Sequence, residues 1–196
     1  MKSRAAILLL AMGPLWAQQP AKLVAVTTPG NPGAMPCVNG PRILPQSFTS
    51  LEGRFNSTLT ALNDKDPIDL VGDTRALYLK DYGLTMTAEI MLVRTPSIGP
   101  FRKEIPAAEK ARVHQRKLDQ LPALKKSMRE MIKASALVLA GAVGLQGMEG
   151  SGLQVVLAVK VLYQVDWEDL SGLPAQIVMK ADLKGALNGD IQEEVQ

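Results

Sequence analysis

The chain contains few of the residues that usually indicate catalysis or covalent cross-links. Its 196 residues include one cysteine and one histidine, and aromatic side chains make up only 4% of the sequence. A lone Cys37 excludes an internal disulfide, so it is either a spare thiol or a site of pairing with another chain. One histidine and one thiol do not supply the usual zinc ligands, and we predict neither a metal nor a cofactor.

Motifs for common chemistries are also missing. The chain has no G-x-S-x-G elbow, no serine followed by lysine three residues on, no phosphate-binding glycine loop and no H-E-x-x-H. Asp64, Asp66, Asp69 and Asp73 do not have the spacing of a calcium loop. We interpret them as turn and helix-end residues.

The N-terminus has the order of a secretory signal. Lys2 and Arg4 precede an apolar run over residues 5–15, and the small Ala17 precedes polar residues. We predict a signal peptide over residues 1–17 and a mature protein that is periplasmic or secreted. Removal of the signal peptide lowers the net charge from +3 to +1, so the net charge gives no argument for nucleic acid binding.

Composition divides the mature chain into three parts. Residues 18–46 contain six prolines and three glycines, which predicts a flexible arm. Residues 47–187 have the length and patterning of a single domain, and residues 188–196 form a polar tail that we expect to fray. No second apolar stretch reaches transmembrane length.

Hydrophobic periodicity predicts the elements of this domain. A helix begins near Ser47, with Thr49 and Glu52 as a capping box, and a long helix runs from Pro106 to about residue 140, kinked or split at Pro122. Apolar residues alternate with polar ones over 74–92, with a turn at Gly83, and again over 153–163 and 175–183.

These elements predict an α+β fold with two layers. We expect an antiparallel sheet of about four strands, formed by two hairpins, with helices on one face and the order α-β-β-α-β-β. An uncovered strand edge would allow pairing with a second copy, so a homo-oligomer is compatible with this fold.

Two single residues invite a functional interpretation. His114 is the one side chain whose unperturbed pKa is near neutrality, and it is either a general base or a packed core residue. Trp167 lies among Asp166, Glu168 and Asp169, and it either recognises a sugar or a cationic partner or folds back over the core.

Charge is unevenly distributed along the chain. Residues 101–133 have a net charge of +6, and residues 149–196 have a net charge of −5. The basic helix over residues 106–133 either presents a solvated face or binds an anionic envelope component. The cations proposed for binding are Lys110, Arg116, Lys117, Lys125 and Arg129.

Several segments resemble a group of uncharacterised exported bacterial proteins. They are TRALYLKDYGLTMTAEIMLV over residues 74–93, RVHQRKLDQLPALKKSMREM over residues 112–131, and the short runs WED (167–169) and GLP (172–174). The resemblance implies export and one domain, and it assigns no site residues.

The sequence therefore favours an exported accessory protein of the bacterial envelope that acts by binding. One alternative is a periplasmic or secreted hydrolase that uses carboxylates and His114. A second alternative is a protein that binds the anionic envelope surface through the basic helix, and an envelope protein is the other expected partner.

Overall fold

Helical and extended segments follow one another in the order α-β-β-α-β-β-α-β. A computed structural model describes residues 43–95, 104–148, 152–164 and 166–196, with the backbone alone for residues 145–148. All of them belong to the second of the two units, Val38–Gln196, into which backbone contacts divide the chain. The predicted signal peptide, Cys37 and most of the predicted arm lie outside the described residues.

The α+β class is confirmed, and each of the four predicted strands has a counterpart. The elements are α1 (Pro45–Thr60), β1 (Asp69–Leu79), β2 (Gly83–Met91), α2 (Ala107–Met148), β3 (Gln154–Val161), β4 (Gln176–Asp182), α3 (Leu183–Asn188) and β5 (Gln192–Val195). Strands β1 and β2 pair antiparallel, as do β3 and β4. The alternation of polar and apolar residues thus identified four strands and their nearest partners.

The predicted sheet of four antiparallel strands is wrong in two respects. Five strands are hydrogen-bonded in the order β1-β2-β3-β4-β5, and β2 runs parallel to β3. A parallel pair requires a crossover connection, which here contains α2. The fifth strand, β5, comes from the tail that was expected to fray, and it pairs antiparallel with β4. Helix α3 is likewise an addition to the predicted order.

Gly83 allows β2 and β3 to approach each other closely where their parallel pairing begins. Its φ of +128° lies in the region that favours glycine, and its partner in the register is Gln154. A Cβ atom at Gly83 would lie 1.9 Å from the carbonyl oxygen of Gln154. A side chain at this position would therefore force β2 and β3 apart.

One face of the sheet is buried beneath the helices. Alternate residues of the three central strands point into the core, namely Leu84, Met86, Ile90, Val155, Leu157, Val159, Ile177 and Met179. Phe55 of α1 and Met128 of α2 are fully buried against this face. The opposite face carries partly buried or exposed side chains such as Thr87, Val156 and Val178.

The helix ends differ from the predicted ones. Helix α1 begins at Pro45 after Leu44 and has no side-chain cap, so the predicted capping box does not form. Helix α2 continues to Met148 and is not split at Pro122, although its backbone leaves helical geometry at Gly144. Pro122 is exposed, so water can bond to the carbonyl that the proline leaves unpaired.

Candidate functional site

The β3–β4 segment, which we define as residues 166–175, packs against the first turns of α2. Lys110, His114 and Lys117 are spaced so that they fall on one side of the helix. In the segment, the backbone N–H of Glu168 donates to the carbonyl of Gln164 at 3.1 Å and fixes a turn. The turn holds Trp167 and Glu168 beside the helix.

A buried ion pair joins the helix to the β3–β4 segment. The Nζ atom of Lys117 lies 2.5 Å from Oε2 of Glu168, and the two side chains are only 2% and 3% exposed. The same Nζ lies 5.0 Å from the centre of the Tyr163 ring, within the range of a cation–π contact. Because desolvation of two charges is costly, such a pair stabilises the fold only while both partners are present.

Tyr163 is fixed beneath this pair. Its hydroxyl donates to the carbonyl oxygen of Pro174 at 2.7 Å. Burial raises the pKa of Tyr163, and the negative charge of Glu168 raises it further. Tyr163 therefore stays neutral at physiological pH and serves as a packing and hydrogen-bonding group.

Two adjacent residues carry buried polar atoms without a partner. Within the part of the chain that the structure describes, neither Nε1 of Trp167 nor Oε1 of Glu168 has a hydrogen-bond partner. Trp167 is 9% exposed and packs with Ile105 and Val113 in a small apolar cluster separate from the main core, so it is not an exposed tip. A buried unsatisfied donor or acceptor typically costs about 1–3 kcal/mol.

The His114 side chain contacts the main chain of the β3–β4 segment. Its Nδ1 atom lies 2.9 Å from the carbonyl oxygen of Asp169, so Nδ1 acts as the donor. The Asp169 carboxylate accepts hydrogen bonds from the hydroxyl and the backbone N–H of Ser171. These bonds lower the pKa of Asp169, and His114, when it is protonated, lowers it further.

These side chains surround a narrow crevice. It is lined by Lys110, Val113, His114, Lys117, Trp167, Glu168 and Asp169, and encloses about 150 Å³ including the part open to solvent. No water molecule fits into it in this conformation. A ligand would therefore enter only if the β3–β4 segment moved away from α2.

Four of the sequence-predicted site residues meet at this crevice, and the other three do not. Arg116 forms a two-bond ion pair with Asp66 in the loop before β1. Lys125 and Arg129 both pair with Glu193 of β5, the former at 2.7 Å. The basic helix thus directs most of its proposed binding cations to carboxylates of the same chain.

Sequence reasoning missed Glu168, Tyr163 and Asp169 as members of the site. The carboxylates were noted as neighbours of Trp167, but nothing in the spacing connected them with α2. Their helix partners, Lys117 and His114, lie 51 and 55 residues away in the chain. Contacts at that separation depend on the tertiary fold.

A second, open groove of about 600 Å³ lies between α1 and α2. Arg54 and Lys126 line it, together with Glu130 and several small or hydroxyl-bearing side chains. In the described ranges, neither Arg54 nor Lys126 forms an ion pair. The groove therefore carries two cations that form no ion pair within the described residues, together with the carboxylate of Glu130.

Two features are absent from the residues that the structure describes. Among them, no three histidine, cysteine, aspartate or glutamate side chains come together in a group that could hold a metal ion. None of the helices formed by these residues combines the length and the apolar character that crossing a membrane requires.

Comparison of the chain with models of known protein families, with curated proteins and with solved structures found no match.

Proposed function

We propose that the protein is an exported accessory protein of the bacterial envelope that acts by binding, and that the crevice between α2 and the β3–β4 segment is its binding site. The order of charged, apolar and small residues over positions 1–17 supports export. The observation that carries the binding role is the pair of unpartnered polar atoms, Trp167 Nε1 and Glu168 Oε1. Unsatisfied buried groups at a crevice are what a ligand can satisfy.

Catalysis receives less support from the same geometry. A hydrolase built on His114 and carboxylates needs a nucleophile or a water molecule within reach of the base. Among the described residues, no serine, threonine or cysteine lines the crevice, and no water fits in it. Glu168 has one carboxylate oxygen bound to Lys117, which suits a structural or binding role better than proton transfer.

The test is recovery of the protein from its native envelope after crosslinking. Cells are fractionated, the mature N-terminus is sequenced, and proteins or glycans crosslinked to the mature chain are identified by mass spectrometry. We expect cleavage after Ala17, an extracytoplasmic location and one dominant crosslinked species. An intact N-terminus on a cytoplasmic protein would overturn the proposal.

A second candidate is binding to an anionic envelope surface, and the α1–α2 groove favours it. The cations of this site would be Arg54 and Lys126, because four of the five α2 cations first proposed are paired within the molecule. Exposed cations without partners attract anionic head groups, and salt screens the attraction.

Sedimentation with phosphatidylglycerol vesicles tests this candidate. We expect binding at low ionic strength that salt abolishes and that the double variant Arg54→Gln/Lys126→Gln weakens. Lys125→Gln is the matched control, because that cation is already paired with Glu193. Equal binding by all three proteins, or none at low salt, would exclude this candidate.

A further inference from the structure

The formal charges of the residues that line the crevice sum to zero when His114 is neutral. At its base, the buried Lys117 is neutralised by Glu168 at 2.5 Å. The other two charged lining residues, Lys110 and Asp169, have opposite signs. A ligand with a net charge would have to be desolvated at this site without a spare counter-ion, which is strongly unfavourable. The crevice therefore favours a neutral ligand.

The unpartnered atoms specify the hydrogen bonds that this ligand would make. Trp167 Nε1 is a donor and requires an acceptor, whereas Glu168 Oε1 is an acceptor and requires a donor. The two atoms belong to adjacent residues. A hydroxyl group satisfies both requirements because it donates one hydrogen bond and accepts others.

Apolar surface at the same place favours a ring-shaped ligand. Trp167 packs with Val113 and Ile105, and the Tyr163 ring lies beneath Lys117. Movement of the β3–β4 segment away from α2 would uncover the side of the Trp167 ring that packs with Val113, and such a face beside an N–H suits ligands that have C–H faces and hydroxyl edges. A sugar ring combines these two kinds of surface.

We infer that the crevice binds a neutral sugar ring, which enters when the β3–β4 segment moves away from α2. A ring hydroxyl accepts from the Trp167 indole N–H, and the same or the neighbouring hydroxyl donates to Glu168. The inference rests on the proposed binding function and names the ligand class for that site.

Trp167 provides a reporter within the site. The chain contains two tryptophans, and Trp16 lies in the predicted signal peptide, so the mature protein of residues 18–196 has one indole group. Its N–H gives a single indole cross-peak in a ¹H–¹⁵N spectrum. The probes are glucose, N-acetylglucosamine and its β-1,4-linked disaccharide, with glycerol, glucosamine and glucuronic acid as comparators.

We expect a saturable downfield shift of the indole peak with at least one neutral sugar, and little effect of glycerol or of either charged sugar. The variant Lys117→Met/Glu168→Leu, which removes both buried charges and the Oε1 acceptor, should bind at least about tenfold more weakly, the equivalent of 1.4 kcal/mol. Glu193→Gln, on β5, should bind as the parent does. Should the double variant fail to fold, the probe series with the parent protein decides alone.

Two results would overturn the inference. One is an indole peak that no neutral sugar moves, and the other is tighter binding of glucosamine or glucuronic acid than of the neutral sugars. If a protein partner is nevertheless crosslinked in the envelope, the proposed accessory function stands and only the sugar assignment fails.

Discussion

The side chains of Lys117 and Glu168 form an ion pair that is almost completely removed from solvent. The Nζ and Oε2 atoms are 2.5 Å apart, and neither side chain is more than 3% exposed. This pair fixes the β3–β4 segment to α2 and forms the base of the crevice. Stability and the proposed binding site therefore depend on the same contact.

Removing one member of this pair should be far more harmful than removing both. Lys117→Met leaves the Glu168 carboxylate buried without its counter-ion, and we expect a loss of about 3–5 kcal/mol in the free energy of unfolding. The double variant Lys117→Met/Glu168→Gln should recover most of that loss. Urea unfolding of the two variants and the parent measures it, and equal stability of the single and double variants would contradict the account.

Substitution of Gly83 should destabilise the sheet. An added Cβ would lie 1.9 Å from the Gln154 carbonyl oxygen, at a φ that side chains rarely adopt. We expect Gly83→Ala to lower the midpoint of chemical unfolding strongly. Gly53→Ala is the matched control, because a Cβ there meets nothing within 4 Å and alanine favours the α1 helix by about 0.5–1 kcal/mol. Thermal or urea unfolding measures the stability of both variants. A Gly53→Ala variant that is less stable than Gly83→Ala would refute this interpretation of Gly83.

The free edge of β1 is protected by side chains of α1. The backbone N–H of Ala76 donates to Glu52 at 2.8 Å, and that of Thr74 donates to Asn56 at 3.0 Å. Glu52→Leu should expose the Ala76 N–H, weaken folding by about 1–3 kcal/mol and increase self-association through the strand edge. Glu52→Gln keeps an acceptor and should remain like the parent. Light scattering coupled to size-exclusion chromatography measures the molar mass of each variant in solution. A Glu52→Leu variant with the same mass as the parent would show that Glu52 does not protect the edge.

Ionisation of Tyr163 should contribute to alkaline unfolding. Its pKa in the folded protein is raised above the ordinary value of 10.0, chiefly by burial and further by Glu168. The unfolded chain then releases the proton first, so stability is unaffected below about pH 10 and falls as the pH rises beyond it. Tyr163→Phe should flatten this alkaline slope, although it also removes the hydrogen bond to Pro174 and lowers stability at neutral pH. Unfolding free energies measured across this pH range provide the check, and unchanged slopes would contradict it.

Local patterns predicted the hairpins, but they did not predict how the hairpins join. The alternation in β2 and β3 identifies a buried and a more polar face for each strand, and that pattern is the same whether the strands run parallel or antiparallel. The direction of β3 depends on where α2 returns the chain, which is a tertiary property. The short β5 carries three polar residues out of four and has no apolar period, so its backbone pairing left no signal in the sequence.

The candidate site was predictable in its parts and not in its assembly. His114 and Lys117 were identified on one helix, and Trp167 with its neighbouring carboxylates on one connection. Their contacts span more than 50 residues of chain, so the sequence could not assign Glu168 to Lys117 rather than to solvent. Arg129 and Glu193 are also far apart in the chain, so the sequence could not show that they form an ion pair. Arg129 was therefore predicted to bind an external anion.

Photo-crosslinking from the edge of the crevice tests the central claim most directly. A photoreactive phenylalanine analogue replaces Lys110, which lines the crevice, or Lys133, which is exposed further along α2. If the crevice is the binding site, irradiation of the native envelope yields a defined crosslinked species from position 110 and none from position 133. Equal products from both positions, or a product from position 133 alone, would contradict the account.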